Sequence, residues 1–153
     1  MAEAVFREFA AQAALDDVEV DSAGTGDWHV GERADLRTLR VLAAAGYDAS
    51  DHRARQFEPL WFPRREFVIA LDRGHARTLR SWAPDDEQRV KVRLLRWFDP
   101  AIGPDAPGHA LDVADPYYDG EPAFRDVLGQ IESAAKGLLD HIRRLREGTV
   151  AVD

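Results

Sequence analysis

The run Phe67-Val68-Ile69-Ala70-Leu71 constrains this chain more than any other feature. Five apolar residues without polar alternation predict a strand buried on both faces. Such a strand belongs to a parallel sheet, because parallel connections lay helices over both of its sides. The flanking sequence supplies those helices. Residues 2–14 place Ala4, Val5, Phe6, Phe9, Ala10 and Ala13 at helical spacing, with Leu15 just beyond. Asp35 is suited to cap a second helix and Gly46 to end it, with Leu36, Leu39, Leu42 and Ala43 as its apolar face. Residues 73–82 read as a third helix with Leu79 and Trp82 turned inward.

Residues 122–146 read as a long helix. Phe124, Val127, Leu128, Ile131, Ala134, Ala135, Leu138, Leu139 and Ile142 line one side, and arginines fill the last turn, where cations suit the helix dipole. Two further strands are predicted, from the alternation at Val18-Glu19-Val20-Asp21 and the run Val90 to Leu95. Pro59 and Pro63 bracket a short turn, and the proline-rich stretch 99–122 reads as loop. The whole is an α/β chain, a three-layer sandwich with a short parallel sheet flanked by helices. Its 153 residues make one domain, 1–153, with a loose tail after about 148.

Composition narrows the possible partners. A net charge of −8 disfavours general affinity for nucleic acid or for an anionic membrane. No apolar run reaches the roughly 20 residues needed to cross a bilayer, and no basic-then-apolar leader opens the chain, so the expected location is cytoplasmic. With no cysteine there are no disulfides and no Cys-ligated metal. The histidines lack metal-ligand spacing, and Gly24-x-Gly26 has no third glycine where a nucleotide loop needs one. No metal or cofactor is expected.

Several segments, taken in order, resemble the low-molecular-weight protein tyrosine phosphatases. Met1-Ala2-Glu3-Ala4-Val5-Phe6 is similar to the helix that follows that family's phosphate loop. Asp21-Ser22-Ala23-Gly24-Thr25-Gly26-Asp27-Trp28 is similar to its second strand and substrate-facing loop. His52-Arg53-Ala54-Arg55-Gln56 resembles its His-x-Ala-Arg-Gln segment, and Phe67 to Asp72 its third strand. Val92 to Leu95 with Phe98-Asp99-Pro100 resembles the fourth strand and the turn after it. Asp115-Pro116-Tyr117-Tyr118 resembles the general-acid loop. The likeness runs from residue 1 to about 147.

The resemblance implies a four-stranded parallel sheet in the order 2-1-3-4 and hydrolysis of phosphotyrosine through a cysteinyl-phosphate. It implies that Asp115 protonates the leaving oxygen, that Trp28, Tyr117 and Tyr118 flank the substrate pocket, and that Ser22 and His52 support the phosphate loop. Each has a plainer role beside it. Asp115 can be one half of an Asp-Pro turn, Trp28 and the tyrosine pair can be loop anchors, and Ser22 and His52 can satisfy local polar groups.

The family's first strand and its Cys-x5-Arg loop have no counterpart in these residues. The expectation is therefore a homologue that is inactive as given, with Asp115 a vestigial acid. One route to this is a start site placed too late; the other is a gene that encodes a loop-less form. The alternative function is a non-enzymatic, dimeric regulatory or interaction module on the same scaffold. A central strand of five apolar residues stabilises by roughly 1.5–3 kcal/mol per buried side chain, which rivals the net stability of a domain. The gap is thus expected to close by direct pairing of 18–23 with 67–71 or by a second chain, and a homodimer is the expected state. A phosphotyrosine protein is an expected partner only when the loop is restored.

Overall fold

The computed structural model describes residues 1–103, 105–117 and 119–148. Helix α1 spans Ala2–Gln12 and α2 spans Leu36–Ala44. A 3-10 turn at Pro59–Arg64 leads into strand β1, Val68–Ala70. Helix α3 covers Arg73–Trp82, α4 is a single turn at Asp86–Arg89, and β2 is Val92–Leu94. Two further 3-10 turns, Leu95–Phe98 and Gly108–Leu111, precede the long helix α5, Glu121–Glu147. The tail beyond residue 148 lies outside the described residues.

β1 and β2 pair in parallel, with Val68 opposite Val92, Ile69 opposite Arg93 and Ala70 opposite Leu94. Side chains alternate across a strand, and the two cores divide accordingly. Val68 and Ala70 join Phe62, Ala76, Leu79, Ala83 and Val92 in a small cluster beneath α3. Ile69 and Leu71 point the other way, against the main core built by α1, α2 and α5 with Leu95, Phe98 and Val113. The layers are α3, the sheet, and α1 with α2 and α5, a sheet flanked by helices as expected.

α5 organises the main core. All eight of its buried residues, from Phe124 to Leu139, were predicted from their spacing. Gly137 permits a close approach, since a Cβ there would stand 1.7 Å from the carbonyl oxygen of Phe98. Just after Phe98 the chain buries Asp99, whose Oδ1 accepts from the Ser133 hydroxyl at 2.6 Å and from the Ala101 amide at 2.9 Å. The Ser133 contact and one missing side chain thus seat the turn after β2 on α5.

Two predictions fail. Val18 to Asp21 forms no strand; among the described residues the sheet has two strands. A strand needs a ladder partner for its backbone groups, and 18–23 does not pair with β1. The chain holds this segment by side chains instead. The Arg7 guanidinium donates to the Val20 carbonyl at 3.0 Å, and Val18 and Val20 lie half-buried on the main core. Direct pairing of 18–23 with 67–71 is therefore not how the gap is bridged. The second miss is the face of α2. Val41 and Leu42 are the buried residues, whereas Leu36 is 68% exposed and Ala43 faces solvent. Leu36 opens the helix and is left to solvent.

Candidate functional site

In open α/β sheets, ligands sit where loops leave the carboxyl ends of the strands. β1 ends at Ala70, and the next residues recruit the loop that carries Asp115. The Leu71 carbonyl accepts from the Val113 amide at 2.8 Å. Asp72 caps α3 by accepting from the His75 amide at 2.7 Å. Arg73, the first residue of α3, clamps Asp112. Its amide donates to Oδ1 at 2.8 Å, and Nε and Nη2 reach the carboxylate at 3.1 to 3.2 Å. These bonds hold the Asp112 carboxyl below its ordinary range.

The other end of the same loop is held from α2. Asp35 caps that helix, accepting from the Arg37 amide at 2.8 Å, as its position predicted. Its carboxylate also takes Nε and Nη2 of Arg37, and these bonds lower its pKa. The fixed guanidinium donates Nη1 to the Asp119 carbonyl at 3.1 Å. It lies 4.7 Å from the Phe124 ring centre and 5.5 Å from that of Tyr117. The acid loop is therefore pinned at Asp112 and again at Asp119, with Asp115 exposed between the pins. Asp115 Oδ1 accepts from the Tyr117 amide at 3.0 Å, the turn that an Asp-Pro sequence favours. Tyr117 is 55% exposed. Tyr118 lies outside the described residues.

The Trp28 loop is anchored differently. Its stem pairs with the 54–57 segment: Gly24 donates to Arg55, Phe57 donates to Gly24, and Gly31 and Ala54 close the far side through Ala54 and Glu32 carbonyls. Trp28 is 75% exposed, and its ring folds back over Gly26, where any Cβ would collide with it. Ser22 is half-buried, and its carbonyl accepts from Arg55 Nη2 at 3.3 Å. His52 faces the first turn of α1, with Nδ1 3.6 Å from Glu3 Oε2, and Glu3 also faces Arg7 at 3.5 Å. Ser22 and His52 thus have separate partners rather than a shared one.

Sequence reasoning missed the arginines. Arg37 and Arg73 hold the acid loop, and Arg55 and Arg65 both bond Asp21, at 3.0 and 2.6 Å, while flanking the Trp61 ring. Periodicity carries no signal for such contacts, because their partners lie tens of residues away. The one local hint was the position of Arg37 two residues after a capping Asp. Among the described residues no group of three or more His, Asp and Glu is placed to hold a metal ion, and no helix is long and apolar enough to cross a membrane.

A parallel sheet between helical layers, with an acid-bearing loop pinned at the carboxyl end of a strand, defines an α/β protein. The family model of the low molecular weight phosphotyrosine protein phosphatases matches residues 1–148, and the chain belongs to that family. A low-molecular-weight protein-tyrosine-phosphatase of Streptomyces coelicolor is 52% identical over 152 residues, covering 99% of this chain and 90% of the relative. Phosphatase A of Mycobacterium tuberculosis H37Rv is 46% identical over 143 residues, covering 93% and 82%. A crystal structure of an Entamoeba histolytica protein tyrosine phosphatase, with Hepes in its active site, superposes with a TM-score of 0.83 at 29% identity, covering 97% of this chain and 89% of that one. YfkJ of Bacillus subtilis superposes at 0.80 with 30% identity, covering 94% and 85%.

Proposed function

We propose that this chain carries the acid and pocket side of a phosphotyrosine phosphatase and that these 153 residues do not turn over phosphomonoesters by themselves. The observation that carries the reading is the absence of cysteine in a chain whose acid loop is held at both ends. The family reaction needs a thiolate to take the phosphoryl group and donors to clamp its oxygens. No serine here stands beside a base in the pattern that would replace the thiolate. Asp115 is exposed, and on this reading it is the proton donor to a leaving oxygen. Trp28 and Tyr117, both exposed aromatics, offer faces to an aryl phosphate. Ser22 and His52 support the scaffold around that pocket.

The test is hydrolysis of p-nitrophenyl phosphate by the 153-residue chain beside the same chain extended with an N-terminal strand and a Cys-x5-Arg loop. The reading expects turnover by the extended protein, lost on Asp115→Ala, and background rates from the shorter one. Substantial turnover by the shorter chain contradicts it.

One observation favours a dimeric, non-catalytic state for the shorter chain. Among the described residues β1 has one strand neighbour, and Ile69, Leu71, Val18 and Val20 lie half-buried against the main core. We propose that a second copy covers the other edge of β1. Sedimentation at micromolar concentration is expected to show a dimer that Ile69→Asp dissolves; a monomer across that range refutes the dimer while leaving the catalytic reading intact.

A further inference from the structure

The turn that carries Asp115 is closed by two short bonds. The Tyr117 amide donates to Asp115 Oδ1 at 3.0 Å, and the Asp119 amide donates to the Pro116 carbonyl at 2.8 Å. Both are local, so they fix the shape of the turn and not its place in the molecule. Contacts from other elements set its place. The base of the loop is held from α3, where Arg73 grips Asp112. Gly108 leaves room for that guanidinium, since a Cβ there would stand 2.9 Å from Arg73 Nη1. The turn itself is held from α2, by Arg37.

Arg37 does more than a helix cap requires. The cap needs the Asp35 carboxylate and the Arg37 amide, which meet at 2.8 Å. The same carboxylate also takes Nε and Nη2, each at 3.1 Å, a fork that fixes the plane of the guanidinium. The remaining nitrogen, Nη1, donates to the Asp119 carbonyl at 3.1 Å. Cζ lies 4.7 Å from the centre of the buried Phe124 ring and 5.5 Å from that of Tyr117. Arg37 thus touches the turn at Asp119 and at Tyr117, and the Tyr117 amide is the donor that holds the Asp115 carboxylate.

The same arginine follows closely on the Trp28 loop. The stem of that loop closes where Gly31 donates to the Ala54 carbonyl and Ala54 donates to that of Glu32. Asp35 comes three residues later. The chain path from the Trp28 loop to the acid turn therefore runs through Asp35 and the Arg37 side chain.

We propose that Arg37 is a positioning residue for the general acid: through Tyr117 and Asp119 it holds Asp115 where a leaving oxygen takes its proton. This rests on the reading above that Asp115 is the acid. A displaced acid matters most when the leaving oxygen is strongly basic, because that oxygen cannot depart without a proton. Loss of Arg37 therefore separates substrates by leaving group, which a general loss of stability does not.

The first arm of the test uses the 153-residue chain. Arg37→Gln is expected to speed amide exchange at Tyr117, followed by nuclear magnetic resonance, by about threefold or more, the worth of one hydrogen bond. Val113, bonded to Leu71 at the other end of the loop, is expected to keep its rate. The second arm uses the chain extended with the N-terminal strand and Cys-x5-Arg loop. There Arg37→Gln is expected to lower kcat/KM about tenfold or more for phenyl phosphate and about threefold or less for p-nitrophenyl phosphate, whose leaving group is the weaker base. Unchanged exchange at Tyr117, an equal rise at Val113, or equal losses on the two substrates overturns the proposal. An extended parent that turns over neither substrate defeats the catalytic reading, and exchange at Tyr117 then decides by itself whether Arg37 places Asp115.

Discussion

The two flanks of β1 are built from similar apolar residues and end in different states. On the α5 flank the packing is closed. Ile131 is 1% exposed, Ala134 is fully buried, and the turn after β2 is seated on the helix through Gly137 and Asp99. In β1 and the 18–21 segment, Ile69, Leu71, Val18 and Val20 touch the same core but keep part of their surface in water. Hydrophobic sequence sets which residues seek burial. Whether burial completes depends on the backbone groups beside them, which need a partner the apolar pattern does not specify.

The largest expected effect comes from one truncation made in both regions. Ile131→Ala removes a fully buried side chain from a site framed by helix and is expected to cost about 2–5 kcal/mol in urea unfolding. Ile69→Ala, measured in monomer, is expected to cost about 1 kcal/mol, because a half-exposed site opens little cavity. Equal losses would break the comparison.

Gly137→Ala sharpens it on the closed side. The new methyl meets the Phe98 carbonyl, so α5 and the following turn must separate, with an expected loss of about 1–3 kcal/mol. An unchanged urea midpoint would mean that the contact is not close. Asp35→Ala removes the cap of α2 and the anchor of Arg37. About 1 kcal/mol of stability is expected to go, and the amides around Asp119 are expected to exchange faster. Protection at Asp119 unchanged from the parent would show that Arg37 does not hold the acid loop.

The smallest effect concerns pH. The Tyr47 hydroxyl donates to Glu132 at 2.7 Å, and burial followed by this bond raises its pKa from 10.0 to about 12. A raised pKa favours the protonated form in the folded state. The associated stability is therefore complete below pH 10 and is lost as pH climbs toward about 12. Ultraviolet titration is expected to show a tyrosine ionising with a pKa of about 12, and Glu132→Gln to bring it earlier. At the acid end, Asp112 has a lowered pKa. Its hold on Arg73 persists above the ordinary carboxylate range and fails as pH falls through the depressed value.

Legibility follows the same division. The buried face of α5, the cap at Asp35, the limits of α3 and both paired strands were readable, because each rests on local periodicity or a capping residue. The 18–21 segment was misread because alternation signals a strand only where a ladder exists to receive it. Leu36 was misplaced because helical spacing says which residues share a face and not how much of that face a neighbour covers. In the candidate site, Asp115, Trp28 and Tyr117 were named by resemblance. The arginines that fix their loops were not, since Arg37 to Asp119 and Arg73 to Asp112 join positions with no sequence relation.

Residue-resolved hydrogen exchange at a concentration where the chain is monomeric tests the central contrast most directly. The account predicts that amides of α5 from Leu128 to Leu139 exchange only through global unfolding, while those of Ile69 and residues 18–23 exchange orders of magnitude faster. Protection at Ile69 equal to that at Ile131 would mean that the β1 edge is closed within the chain, and would contradict it.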